Sequence, residues 1–150
     1  MNNIFNTPFE VSLRVLLTLE ASPRHWVSSD WITAVDFITT YCKDFGLSDE
    51  NLHGENNYKY SEFALRRELV KEALKALVSR RLVEVRALSN GFLYILAKAG
   101  GNYCADLTSD YAENYRELAA VVGLYVNGKP EREILALINK HSLSSLQRSI

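Results

Sequence analysis

The sequence predicts a mainly α-helical fold with one small β-hairpin. Residues 61–78 repeat apolar side chains at helical spacing, with Ser61 placed as the N-cap. Residues 82–87 and 92–96 then form two short extended runs around Ser89-Asn90-Gly91, where Asn90-Gly91 supplies the positive φ of a tight turn. A helix, a hairpin and a further helix are the second half of a winged helix-turn-helix, which is therefore the predicted core.

Two earlier helices complete the three-helix half of this fold. Thr7-Pro8-Phe9-Glu10 is a capping box with proline at the first helical position, and it predicts the start of the first helix. A second helix is expected to begin at Ser28-Ser29-Asp30, with apolar groups nearly all around it. We expect the first helix to bury these apolar side chains: Phe9, Leu13, Leu16, Leu17 and Leu19.

A long C-terminal helix over residues 98–126 and a shorter terminal helix follow the hairpin. Tyrosines and aliphatic residues keep one face of the long helix apolar. Gly128-Lys129-Pro130 ends it and Glu131 begins the next. The predicted organisation is a winged helix-turn-helix core over 1–97, with a long loop at about 42–60, and a helical extension over 98–150.

The composition indicates an ordinary globular protein. The chain has 150 residues, is 47% hydrophobic and carries a net charge of −1, whereas domains that bind phosphate backbones are more often distinctly basic. Residues 1–5 lack signal-peptide character, and the apolar run 118–126 is too short to span a bilayer. Two cysteines in unrelated contexts, Cys42 and Cys104, suggest free thiols, so we expect a cytoplasmic protein with no membrane contact.

No catalytic, cofactor or metal motif is present in the sequence. Nucleophile elbows, phosphate-binding loops and paired metal ligands are all missing. His53 has acidic neighbours, but their spacing fits neither an EF-hand nor a zinc site. A protein without enzymatic activity is therefore expected.

Three groups of residues are candidates for contacts with a partner protein. The loop over residues 42–60 contributes Asp49, Glu50 and His53, and it is either a functional insertion or a solvated one. Arg66 and Arg67 lie on or beside the apolar arc of the third helix, so each needs a carboxylate on this chain or on a partner.

The third group is a row of carboxylates on the long helix: Asp106, Asp110, Glu113 and Glu117. Like charges at these spacings repel one another, and Arg116 lies well around the helix from them. Such a face is usually just solvated, or else it receives a basic partner.

Several of these stretches together resemble one known family. They are residues 3–10, 12–14, 43–54, 61–64 and 66–69, with Asp110-Tyr111-Ala112 and His141-Ser142. They are similar to the middle component of ABC-three-component systems, which accompanies an SMC-like ABC ATPase and an effector in antiphage systems of the Lamassu kind. The resemblance implies an adaptor that bridges ATPase and effector, with DNA contacted at most through the complex.

A DNA-binding winged-helix regulator is the alternative function. The third helix argues against it, because Glu68 and Glu72 are placed to neutralise Lys71 and Lys75. The two functions differ in their salt dependence, since only a regulator should bind a duplex tightly with a steep slope.

Overall fold

A computed structural model describes residues 6–22, 26–55 and 59–148, with side chains described as far as residue 143. Within these ranges the fold is mainly helical with one hairpin, as predicted. The elements in chain order are α1 (Pro8–Glu20), α2 (Ser29–Thr40), a 3-10 helix (Cys42–Phe45), α3 (Lys59–Ser79), β1 (Val83–Leu88), β2 (Gly91–Leu96), α4 (Lys98–Ala105), α5 (Asp110–Val126) and α6 (Glu131–Arg148). None of the described helices combines the length and apolar character that a membrane crossing requires.

Side-chain caps begin the first two helices where the sequence predicts them. The Thr7 hydroxyl accepts from the amide of Glu10, and the Ser28 hydroxyl accepts from the amide of Trp31. The predicted start of the third helix at Ser61 is wrong, because α3 already begins at Lys59. The Lys59 ammonium lies 2.6 Å from Asp44, beside the rings of Tyr41 and Tyr60, and these contacts stabilise the two additional residues at the start of α3.

The predicted single helix over 98–126 is also wrong, since α4 ends at Ala105 and α5 starts at Asp110. The Ser109 hydroxyl caps α5 by accepting from the amide of Ala112 at 3.1 Å. Arg116 reaches back and donates to the carbonyls of Cys104 and Leu107 at 2.9 and 3.2 Å. This break therefore has its own hydrogen bonds, and Asp106 belongs to the turn rather than to the acidic face of α5.

The helix α6 begins after Pro130 as predicted but is not the shorter one. It spans 18 residues, against 17 for α5. The ring of His141 packs against Phe45, with ring centroids 4.3 Å apart, and α6 continues past this residue.

The hairpin pairs β1 with β2 in antiparallel register, from Val83 opposite Leu96 to Leu88 opposite Gly91. Gly91 has a φ of 145°, which explains the need for glycine beside the turn. On its other side, β2 bonds to Val27, whose amide and carbonyl both pair with Tyr94 at 3.0 and 2.8 Å. β2 is thus central, and β1 forms the outer edge.

One hydrophobic core connects the parts before and after residue 97. Every residue of α2 from Trp31 to Thr40 is buried, and α5 and α6 both pack on α2. The helices after residue 97 contribute these core residues: Tyr115, Ala119, Val122, Val126, Ile134 and Ile138. Phe9, predicted to lie in the core, is 57% exposed, because α1 becomes enclosed only from Val11 onwards.

A close approach of α4 to the hairpin depends on glycine. A Cβ atom on Gly100 would lie 2.1 Å from the carbonyl oxygen of Leu82 and 2.7 Å from a methyl of Leu96. The same atom on Gly101 would meet only Leu96, at an ordinary 4.0 Å. The Leu82 carbonyl already accepts from the amide of Ala97 at 3.0 Å, so it cannot move without loss of that bond.

We therefore expect Gly100→Ala to lower the free energy of unfolding by about 1–3 kcal/mol, as overpacking usually does. Gly101→Ala is the matched control and should be neutral or stabilising by up to about 1 kcal/mol, because alanine favours helix. Urea denaturation of both variants measures the difference. Equal effects of the two substitutions would show that α4 does not approach the hairpin this closely.

Candidate functional site

A buried ion network lies at the centre of the molecule, around Asp36 of α2. The Nε of Arg14 donates to Oδ1 of Asp36 at 2.9 Å, and Nη1 of Arg66 donates to Oδ2 at 3.3 Å. The hydroxyl of Tyr115 donates to Oδ1 at 2.7 Å. All four side chains are at most 1% exposed, so α1, α2, α3 and α5 meet at one carboxylate.

Further partners accept hydrogen bonds from the two guanidinium groups, and only Nε of Arg66 lacks a hydrogen-bond partner among the described residues. Arg66 also donates to Glu62 and to the hydroxyl of Thr40, both at 2.8 Å. Arg14 also donates to the amide oxygen of Asn6 at 2.9 Å. The charges of two arginines are thereby balanced by two carboxylates, which is the condition under which buried ions are tolerated.

The electrostatics keep the network ionised. Burial alone would raise the pKa of Asp36, but the charges of Arg14 and Arg66 and the Tyr115 hydrogen bond lower it below its usual value. Burial raises the pKa of Tyr115 well above 10, and the Asp36 charge adds to that shift. A carboxylate held in its ionised form and closed off from solvent is suited to positioning helices rather than to proton transfer.

The sequence singled out Arg66 but not the rest of this network. The expectation that Arg66 and Arg67 meet carboxylates is confirmed, because Arg66 pairs with Asp36 and Glu62, and Arg67 pairs with Asp30 through two bonds of 3.1 Å. Arg66 has no exposed surface, so it is a core residue and not a surface for a partner. Asp36 was the available signal, as a carboxylate in the middle of a helix that is apolar nearly all around, whereas Asp30 lies in its first turn.

The neighbouring arginines allow a matched test. Arg66→Ala removes a positive charge that pairs with the carboxylates of Asp36 and Glu62. We expect it to lower the free energy of unfolding by about 3–5 kcal/mol, because buried negative charge is left without a partner. Arg67→Ala removes a pair whose arginine side chain is 44% exposed, so its cost should be at most about 1 kcal/mol. Chemical denaturation gives both values, and a similar cost at the two positions would contradict the burial of Arg66.

The loop that precedes α3 is folded onto the helices in its described part, and residues 56–58 lie outside that part. The amide of His53 donates to the Thr40 carbonyl, and its ring Nε2 lies 2.6 Å from the hydroxyl of Tyr111 on α5. Asn51 accepts from the amide of Lys43 and donates to Asp44. Side chains thus order a stretch that the sequence predicts to be a loop without a regular period.

An acidic groove separates this loop from α5. It has a volume of about 300 Å³ and is lined by Ser48, Glu50, Asn51, Leu52, Asn114, Glu117 and Leu118. Glu50 from the loop and Glu117 from α5 therefore line one concavity, with Asp49 exposed on the same loop. The packing brings together two of the three groups of residues that the sequence singles out separately.

The sequence suggested that Arg116 lies too far around the helix to pair with the carboxylates of α5. This prediction is wrong for Glu113. Arg116 lies three residues after Glu113, within reach along the helix, and bonds to it at 2.6 Å. Arg116 also pairs with Glu20 of α1 at 3.1 Å. Among the described residues, Asp110 and Glu117 are in no ion pair, so they carry the free negative charge of this face.

The titratable groups of the described residues do not form a metal or thiolate site. No three His, Cys, Asp or Glu side chains of the described residues are placed to hold a metal ion. Burial raises the pKa of Cys42 to about 11 and that of Cys104 to about 12, so both thiols stay protonated. The groove is therefore a negatively charged concavity that the apolar side chains of Leu52 and Leu118 also line.

His53 should make stability depend on pH. Burial and the charges of Arg14 and Arg66 lower its pKa from 6.5 to about 2. Between these values the unfolded chain binds a proton that the folded chain does not, so the free energy of unfolding must decrease as the pH falls. We expect His53→Gln to reduce this loss between about pH 7.5 and about pH 5.5.

Urea denaturation at the two pH values measures this effect. His141→Gln is the control, because it removes a histidine from α6 and leaves position 53 unchanged. A pH dependence that persists in full in His53→Gln would refute the burial of a neutral imidazole at this position.

The comparisons with known proteins are consistent with the resemblance noted in the sequence. No curated protein and no solved structure matches the chain. A protein-family model, ABC-three component (ABC-3C) system Middle Component 2, matches residues 4–148. Because this match covers nearly the whole sequence, the chain belongs to that family and is a component of an ABC-three-component system.

Proposed function

We propose that this protein is a non-enzymatic adaptor that bridges an SMC-like ABC ATPase and an effector in a bacterial antiphage complex of the Lamassu kind. Membership of the middle-component family supports a role alongside other components. The observation that carries the proposal is the acidic groove, in which Glu50 and Glu117 come together from distant parts of the chain. The complex acts in the cytoplasm, where thiols such as Cys42 and Cys104 stay reduced.

The proposed fold of residues 6–97 is a winged helix. The element order supports it: α1, the short strand pairing at Val27, α2, α3, β1 and β2. In a winged helix that reads DNA, the third helix and the hairpin supply cations to the phosphates. Here Lys71 and Lys75 are paired with Glu68 and Glu72, and Arg86 lies over the ring of Trp26 at 4.1 Å.

These contacts favour a protein partner over a duplex. A carboxylate-lined groove repels phosphates, whereas it attracts a basic segment of the ATPase or the effector. Charge on such a rim acts chiefly on the association rate and on its salt dependence. An adaptor with this groove should therefore assemble fastest at low ionic strength.

We expect the double variant Glu50→Lys, Glu117→Lys to slow complex formation at low salt by about tenfold or more, and to flatten its salt dependence. The measurement is the association rate with the purified ABC ATPase component and with the purified effector component of the same system. Both substitutions lie on the surface, so the free energy of unfolding should change little.

The matched control is Glu68→Lys, Glu72→Lys, which changes the net charge equally on the exposed face of α3. If both double variants slow assembly alike, net charge and not the groove is responsible. If neither does, the groove is not a partner surface. Tight duplex binding by the isolated wild-type protein, with a steep salt slope, would instead support a DNA-binding regulator.

A further inference from the structure

The outer edge of β1 has main-chain groups that β2 does not use. The carbonyl of Leu82 accepts from the amide of Ala97, so the pair 82/97 is a bonded one. Bonded pairs alternate along an antiparallel ladder, which makes Glu84 and Arg86 the next residues bonded to β2. The amide and carbonyl groups of Val85 and Ala87 therefore point away from β2, toward the open edge.

This edge is uncovered in the described part of the protein. After Val83, every residue of β1 is exposed. Val85 is 42% exposed, Leu88 46% and Phe92 of β2 58%. Val85, Ala87 and Phe92 share one face of the hairpin, because Val85 pairs with Tyr94 and Ala87 with Phe92. Exposed edge strands with apolar side chains are templates for the addition of another strand.

One end of this edge is positively charged. Arg80 and Arg81 precede β1, and Lys98 begins α4 two residues after Leu96, the residue of β2 that pairs with Val83. None of the three is in an ion pair with another described residue. Arg81 also has a φ of 63°, a left-handed conformation that glycine adopts more easily, so an arginine at this position costs backbone energy.

We propose that the β1 edge binds an extended segment of another component of the complex, as an added strand with acidic residues at the end beside Arg80 and Arg81. The main-chain groups of Val85 and Ala87 supply the hydrogen bonds, and apolar side chains of the segment lie against Val85 and Phe92. This inference rests on the proposed adaptor function, to which it adds a second surface. The basic hairpin end and the acidic groove thus suit partners of opposite charge.

A second copy of this chain fits the edge less well. Two β1 edges related by two-fold symmetry must run antiparallel. When Val85 lies opposite Val85, Glu84 of one copy lies opposite Arg86 of the other, but the basic end of each copy meets the turn Ser89-Asn90, which contains no carboxylate. The charges of Arg80 and Arg81 would then remain unbalanced, whereas an acidic segment neutralises them.

Amide hydrogen exchange at single residues tests the proposal. In the isolated protein, the amides of Val85 and Ala87 should exchange at least about tenfold faster than those of Glu84 and Arg86, which bond to β2. In the complex reconstituted from this chain and the other purified components, the amides of Val85 and Ala87 should slow by at least about tenfold. A complex that forms without this protection overturns the inference and leaves the adaptor function standing.

Two substitutions at one position provide the matched variants. Ala87→Pro removes an amide that faces the open edge, which a folded edge strand tolerates, and it should weaken assembly by about tenfold or more. Ala87→Val keeps the amide and suits a strand, so it should change assembly by no more than about twofold. Equal assembly of the proline variant and the wild type overturns the inference.

The remaining outcomes are also decisive. Protection that appears in the isolated protein as its concentration rises, together with a dimeric mass, shows that the edge binds a second copy and overturns the proposal. If the wild-type chain forms no complex with the other components, the adaptor function fails, and the inference fails with it. The double variant Arg80→Glu, Lys98→Glu should weaken assembly by about tenfold at low salt and less at high salt. If this double variant assembles as well as the wild type, the proposal that the segment has an acidic end is overturned.

Discussion

The contact between Asp36 and the guanidinium groups of Arg14 and Arg66 is the interaction on which the rest of the structure depends. These ions lie in the interior, where each is costly unless it is paired and hydrogen-bonded. Arg14, Asp36 and Arg66 lie on α1, α2 and α3, and the hydroxyl of Tyr115 adds a hydrogen bond from α5. A packing that separated Asp36 from the two arginines would leave buried charge uncompensated, so the network favours the observed arrangement of these helices.

This packing determines the shape of the surface. Tyr115 bonds to Asp36, and one turn earlier on α5 the hydroxyl of Tyr111 lies 2.6 Å from the ring of His53. The position of α5 therefore sets the position of the loop before α3. The groove between them follows from this arrangement, which links the buried ions to the surface that we propose for a partner.

The two proposed surfaces differ in charge and in chemistry. The proposed groove surface presents the carboxylates of Glu50 and Glu117, and the proposed recognition there is by side chains. The edge of β1 has bases at one end, Arg80 and Arg81, and uses main-chain hydrogen bonds. A protein that bridges two partners needs surfaces that are separate and that do not compete, and opposite charges provide that discrimination.

Local chemistry in the sequence determined the helix caps at Thr7 and Ser28 and the hairpin around Asn90-Gly91, because these depend on neighbouring residues only. The sequence also determined the family, because the middle-component model matches residues 4–148. The break before α5 was decided by Arg116, which satisfies carbonyls nine and twelve residues earlier. Arg66 and Arg67 are adjacent and look alike in the sequence, but only Arg66 is buried. Only the tertiary structure separates them, because it buries Arg66 against Asp36 of α2 and leaves Arg67 at the surface beside Asp30. It also places Glu50 and Glu117, which are distant in the chain, in the lining of one groove.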